Sequence, residues 1–185
     1  EHADPDAARL ELTAQVERAV TAGVDFTHID THMGAVAHPK LAAIYIDLAL
    51  HYRVPAMIAR EDQAGYERLG LSPEAAKAAA DQVHELEERG LPLFDSIRDL
   101  DLQHTGDRLA LAKRVIDSLE PGLTHLLCHP SLDSPDLRAI APDWRARVGD
   151  YQILKTVELW DHIEGAGVRV IGYRALRDVL RGEGG

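Results

Sequence analysis

Residues 24–59 read VDFTHIDTHMGAVAHPKLAAIYIDLALHYRVPAMIA, and the order of patterns within them decides the fold class. Val24–Asp30 alternates apolar and polar positions in the manner of a short strand. Pro39–Arg53 then shows the helical spacing of Leu, Ile and Ala, with proline in its first turn, where the missing N–H costs nothing. Val54–Ala59 is a second apolar run. A strand, a helix of more than ten residues and another strand predict parallel pairing through a crossover.

The same alternation continues on both sides. Asp6–Ala22 reads as a helix stopped by Gly23. Ser72 and Pro73 open a long helix that reaches Arg89 before Gly90, and Leu91–Ile97 is a third strand. Asp107–Leu119 is helical, and Leu123–Cys128 (LTHLLC) is a fourth, buried strand. Ser134 and Pro135 open a helix to Val148, residues 155–165 form another, and Val168–Tyr173 is a fifth strand before a terminal helix. The expected fold is α/β, with parallel strands and crossover helices, and residues 1–185 form a single α/β domain. Five strands suffice for an open sheet, whereas a closed parallel barrel takes eight strands and about 250 residues. As a barrel, the chain lacks its N-terminal strands. VDFTHID is then an unpaired edge, covered by a second copy in a homo-oligomer or by a missing N-terminal segment.

Composition narrows the partners. The 185 residues weigh 20.3 kDa, and surface scaling at that mass allows roughly 70% of the unfolded surface to be buried. Residues are 45% hydrophobic but only 5% aromatic, so Ala, Leu, Val and Ile must fill the core. Lys and Arg number 20 against 31 Asp and Glu, a formal charge of −11, which opposes binding to nucleic acid and to anionic membrane surfaces. No apolar run approaches the roughly 18 residues of a spanning helix, and the first residues are not a basic-then-apolar signal, so a cytoplasmic location is expected. The single cysteine, Cys128, cannot form an internal disulfide.

Parallel α/β folds bind ligands at the carboxyl ends of their strands. The polar residues there are Asp30 and His32, Arg60, Asp95, His129, Tyr173 and Arg174. Asp30 and His32, two apart, can point to one face, as a metal ligand and its supporting carboxylate do. The plainer alternative makes Asp30 a turn cap and His32 a loop histidine. His38 before Pro39 reads as a helix-start residue, and His28 as a satisfied histidine at a sheet or layer interface. In Cys128-His129-Pro130 the proline forces His129 into extended backbone, where it can serve as general acid or base. Cys128 points to the opposite face and belongs to the core. Arg60 suits either a carboxylate-orienting role or a surface ion pair. His51, His84, His104 and His162 lie among charges and read as solvated.

Four segments resemble, in order and spacing, the YdjC-like carbohydrate deacetylases, including the chitooligosaccharide deacetylase and hopanoid-biosynthesis branches. They are Thr27–Pro39 (THIDTHMGAVAHP), Val54–Arg60 (VPAMIAR), Thr124–Arg138 (THLLCHPSLDSPDLR) and Val170–Leu180 (VIGYRALRDVL). The resemblance implies an incomplete (β/α) barrel of the polysaccharide-deacetylase type and a divalent metal ion, zinc or magnesium, held by an Asp and two His. Residue by residue it implies that His32 is a metal ligand, Asp30 its acidic neighbour, His129 the acid that assists the leaving amine, and Arg60 an orienting cation. Met33, Gly34 and Val36 stand where the family has further histidines. The family's paired-Asp strand (N-A-D-D-F-G) and its G-x-H-L strand do not occur, and Glu1, His2, Asp4 and Asp6 do not replace them. Zinc sites usually need three protein ligands, so the metal site is expected to be incomplete in this chain.

The expected function is metal-dependent hydrolysis of an acetyl group from an N-acetylated sugar or oligosaccharide, a small carbohydrate substrate, by a chain that is the C-terminal two-thirds of a longer protein and poorly active alone. The alternative is a non-catalytic α/β module for binding or oligomerisation that lacks a complete metal site.

Overall fold

A computed structural model describes residues 3–183, apart from the side chain of Pro39. Glu1 and His2 lie outside the described residues. Two compact units emerge, one formed by Glu1–Phe94 with Ile171–Gly185 and the other by Asp95–Val170.

The first unit opens with α1 (Pro5–Thr21), whose N-cap Asp4 accepts from the Asp6 N–H at 3.0 Å. Residues after Gly23 run out to Ile29, which bridges Ala56 in parallel. A 3-10 segment, His32–Ala37, follows, with Met33 (φ 56°) and Gly34 (φ 69°) both left-handed. Next come α2 (Pro39–Tyr52), α3 (Gln63–Arg68), α4 (Pro73–Glu88) and a second parallel bridge, Ala59 to Phe94. The last helix, α9 (Tyr173–Arg181), ends on Gly182 at φ 71°.

One core cluster gathers Tyr45, Ala49 and Ala56 with Ile29, Val36 and Ile58. A second gathers Ile46, Val83, Leu86, Leu91 and Leu93 under Tyr66 and Leu180. The carboxyl ends of α2 and α9 cap each other. Arg53 donates to the Leu180 carbonyl at 3.0 Å, and Arg181 donates to the carbonyls of Arg53 and Tyr52, both at 3.1 Å. Carbonyls that a helix end leaves without partners are thereby satisfied.

The second unit contains the two-stranded parallel sheet. Strand β1 (Ser96–Asp99) pairs with β2 (Thr124–Leu127) in the register Ser96 to Thr124 through Asp99 to Leu127. Around it lie α5 (Arg108–Asp117), α6 (Pro135–Ile140), α7 (Trp144–Ile153) and α8 (Val157–Gly165). Leu100, Ala112, Ile116, Ile153, Leu159 and Ile163 form its core, with Leu126, Cys128 and Val168 packed against them.

The chain is thus mixed α/β and mostly helical, with parallel strand pairing. Several expected elements differ. The helix expected to run from Ser134 to Val148 breaks into α6 and α7 because Pro142 cannot extend it and pushes Ala141 out of helical conformation, to φ −118° and ψ 109°. Val24–Asp30 and Val54–Ala59 share a single bridge rather than a ladder. Val168–Gly172 carries no ladder among the described residues, and α9 begins at Tyr173. Of the expected third strand, Leu91–Ile97, only Ser96 and Ile97 fall in the ladder, which runs Ser96–Asp99, while Phe94 makes an isolated bridge to Ala59. Two elements, the 3-10 segment and α3, were not anticipated.

Candidate active site

Asp30 leaves the Ile29 bridge and folds back on its own backbone, with Oδ1 accepting from the Thr31 N–H at 2.6 Å. Thr31 is buried, and its hydroxyl accepts from the Val36 N–H at 3.0 Å, which closes the 3-10 segment over it. The loop therefore has a fixed root, while His32 itself is exposed.

Tyr45 of α2 holds that root. Its hydroxyl donates to the Ile29 carbonyl at 2.8 Å and accepts from the Met57 N–H at 2.9 Å, so a single buried side chain ties both bridged segments together. Burial pushes the Tyr45 phenol above its ordinary value, and the Asp30 charge adds to the rise against the opposing Met57 N–H. Tyr173 lies in the same neighbourhood. Its phenol is likewise raised, chiefly by burial and then by Asp30 and Tyr45. The His28 ring stacks on Tyr173 at 3.8 Å and 7°, and Phe94 meets Tyr173 edge-on at 5.7 Å. Burial holds His28 below its ordinary pKa despite the Asp30 charge, and Thr27 Oγ1 lies 3.1 Å from its Nδ1. Asp30, His28, Tyr45 and Tyr173 thus share one electrostatic environment.

Arg60 follows the Ala59–Phe94 bridge, and its backbone N–H donates to the Phe94 carbonyl at 2.6 Å. Its guanidinium pairs with Glu87 of α4 at 2.5 Å. His38 is a helix cap, its Nδ1 accepting from the Lys40 N–H at 3.2 Å.

In the second unit, His129 stands just beyond β2. Its N–H donates to Asp150 Oδ2 at 3.2 Å. Its ring Nδ1 is buried and makes no hydrogen bond among the described residues. Asp150 is fully buried, and its Oδ1 accepts from both Nε (2.9 Å) and Nη2 of Arg108, itself 6% exposed. The remaining Arg108 donors reach the carbonyls of Leu100, Asp101 and His104. A neutralised ion pair therefore carries the backbone on which His129 is mounted. Cys128 packs against the core, and burial followed by the Asp150 charge raises its thiol pKa, which disfavours the thiolate a nucleophile needs. Asp95 accepts from the Leu123 N–H at 2.7 Å, a structural bond. His162, expected to be solvated among charges, meets Asp117 at 2.8 Å in an exposed contact.

The structure joins Asp30 to the His28–Tyr173 stack and His129 to Asp150. Sequence reasoning missed Tyr45, Arg108 and Asp150. All three sit on helices, where nothing in the local pattern separates a buried polar side chain from a solvated one. Arg108, next to its cap Asp107, reads as an ordinary first-turn residue. Among the described residues, no group of three or more His, Cys, Asp or Glu gathers to hold a metal ion.

The family profile described as "YdjC-like protein" matches residues 1–164. A carbohydrate deacetylase from Thermus thermophilus is 32% identical over 179 residues, covering 92% of this chain and 60% of that protein. A carbohydrate deacetylase from Thermoanaerobacter pseudethanolicus is 23% identical over 175 residues, covering 95% of this chain and 62% of that protein. The chain spans about 60% of the length of these curated relatives. Among solved structures, a proposed cellobiose-phosphate cleavage protein from Enterococcus faecalis V583 superposes with a TM-score of 0.69 at 20% identity, over 94% of this chain and 61% of that one. That likeness concerns the fold.

Proposed function

The chain belongs to the YdjC-like protein family, and from that premise we propose that it serves a metal-dependent carbohydrate deacetylase that hydrolyses the acetamide of an N-acetylated sugar or oligosaccharide. The names of the relatives support the reaction class. The parallel bridges of Ile29 to Ala56 and Ala59 to Phe94, with the β1–β2 pairing, support an incomplete (β/α) barrel of the polysaccharide-deacetylase type, with residues 1–185 as one α/β domain of it. A cytoplasmic location belongs to the same proposal. The solitary Ile29 bridge leaves backbone groups open to a second copy or to further polypeptide, which makes such pairing part of it too.

The observation that carries the reading is the Asp30-Thr31-His32 turn, rooted by Tyr45 at the end of a parallel bridged segment. His32 is assigned as a metal ligand, with Asp30 as its supporting carboxylate. Deacetylation breaks the C–N bond, with water supplying the acyl carbon with oxygen and the departing nitrogen with a proton. His129 is assigned to deliver that proton, and Arg60, steadied by Glu87, to orient a polar group of the substrate. One imidazole and one carboxylate do not make the three-ligand set a zinc site usually requires. The described residues by themselves do not fit a complete site.

That shortfall favours a second reading, a non-catalytic binding or oligomerisation module. Metal analysis and acetate release from chito-oligosaccharides separate the two. About one divalent ion per chain, lost in His32→Ala, together with acetate release supports the deacetylase. Neither metal nor acetate supports the module.

A further inference from the structure

Tyr173 has no part in the assignments above, yet it is held against the segment that carries Asp30 and His32. Val168–Gly172 has the pattern of a strand, and Tyr173 is the residue at which it gives way to α9. Three contacts fasten the first turns of that helix to Asp25 and His28. Arg174 and Arg177 each donate to Asp25 at 2.6 Å, and the Tyr173 ring lies flat on His28 at 3.8 Å. Because Arg177 meets residue 25 while Tyr173 meets residue 28, α9 runs against the direction of the segment. Its amino end, with Tyr173, therefore lies toward Asp30-Thr31-His32.

Of the two phenols that share the Asp30 environment, Tyr45 gives its single O–H to the Ile29 carbonyl and has no proton to offer a ligand. Tyr173 is positioned through its ring. Phe94 meets that ring edge-on at 5.7 Å, so the half-buried side chain is fixed by the stack and by this second contact before any ligand arrives. A donor fixed in advance costs no reorganisation when charge develops beside it. Burial, followed by the Asp30 charge and the Tyr45 phenol, raises the Tyr173 pKa, which keeps the group a neutral donor through neutral and mildly alkaline pH.

We propose that Tyr173 is a further catalytic residue, its O–H donating a hydrogen bond to the carbonyl oxygen of the substrate's acetamide. The assignment takes its substrate from the deacetylase reading. When water adds to the acyl carbon, the electron pair of the C=O double bond moves to oxygen, and the negative charge there strengthens the bond from Tyr173. The pair returns as the C–N bond breaks and the nitrogen takes up a proton. Tyr173 keeps its own proton throughout.

The full chain, its five tyrosines labelled with ¹³C at Cζ, is titrated with N,N′-diacetylchitobiose and, at matched ionic strength, with the same disaccharide lacking both acetyl groups. Tyr173→Phe keeps the ring on His28, removes the hydroxyl and identifies the Tyr173 signal by its loss. A saturable shift of that signal with the acetylated sugar alone is expected. A tyrosine that only holds α9 in place would not tell the two sugars apart. In acetate release, Tyr173→Phe should lower kcat about 100-fold, the scale of one lost oxyanion donor, with KM changed little. The specific shift without any acetate release supports the donor and removes the reaction, so the two readings fail separately. No shift by about 10 mM acetylated sugar, an equal shift with both sugars, or a kcat in Tyr173→Phe within roughly threefold of the parent chain would overturn the assignment.

Discussion

Replacing Asp150 with asparagine tests whether the buried ion pair supports His129. Asp150 is 0% exposed and Arg108 is 6% exposed, so the substitution leaves a guanidinium without its counter-charge where water cannot compensate. Breaking such a pair from one side costs about 3–5 kcal/mol. Arg108 keeps three carbonyl acceptors, at 2.6, 2.9 and 3.2 Å, which places the loss near the lower end, about 3 kcal/mol. The amide also has one acceptor oxygen instead of two. If that oxygen faces Arg108, the NH₂ group faces the His129 N–H, donor against donor, and the bond now 3.2 Å long is lost. With an m-value of about 2 kcal/mol/M, the urea midpoint of the second unit should fall by about 1.5 M, and the His129 amide should lose protection against hydrogen exchange. Arg108→Met should cost more than Asp150→Asn, because it leaves the Asp150 carboxylate buried without its cation and additionally removes the Arg108 donors from the Leu100 and His104 carbonyls, while the Asp101 carbonyl keeps the His104 N–H. A shift below about 0.5 M for Asp150→Asn, or a milder effect for Arg108→Met, would refute the account.

Three further outcomes follow from particular residues. Burial holds the folded-state pKa of His28 below the ordinary 6.5, so between those two values the unfolded chain binds more protons; stability should therefore be full above about pH 6.5 and decline below it, and His28→Phe, which keeps the ring on Tyr173, should flatten that slope in urea melts across this range. The raised thiol pKa of Cys128 predicts that Ellman's reagent modifies it at pH 8 more slowly than it modifies a free cysteine peptide, with unfolding in urea removing the difference. A Cβ at Gly149 would stand 2.5 Å from Arg108 Cγ, so Gly149→Ala should destabilise by about 1–3 kcal/mol, measured by thermal melting, despite the better helix propensity of alanine.

Much of the helical framework was legible because its signals are local. Ser72 and Asp107 cap the helices they precede, and Gly23 and Gly90 follow helix ends at φ 73° and 77°. Strands were legible only as apolar runs. Whether a run becomes a ladder depends on what lies beside it, and Val168–Gly172 has the pattern of a strand without a partner among the described residues. Pro142 was visible in the sequence and decided the α6–α7 break, but its effect is easily outweighed on inspection by the apolar spacing around it.

The candidate site divides along the same line. Asp30, His32, Arg60 and His129 could be picked out because strand ends are where α/β folds place polar side chains, a rule that needs only chain order. What fixes those residues arrives from elsewhere in the chain. Tyr45 lies 16 positions beyond Ile29 and Asp150 lies 21 beyond His129, and each reads in sequence as one more residue on an amphipathic helix. Both do the same kind of job, satisfying backbone groups next to a candidate site residue with a polar atom from a buried side chain. Such groups would otherwise carry the cost of unmet hydrogen bonds. Chemistry at a strand end therefore depends on polar groups buried in the helix layer, and a substitution such as Tyr45→Phe, silent by composition and periodicity, removes at once the acceptor of the Met57 N–H and the donor to the Ile29 carbonyl.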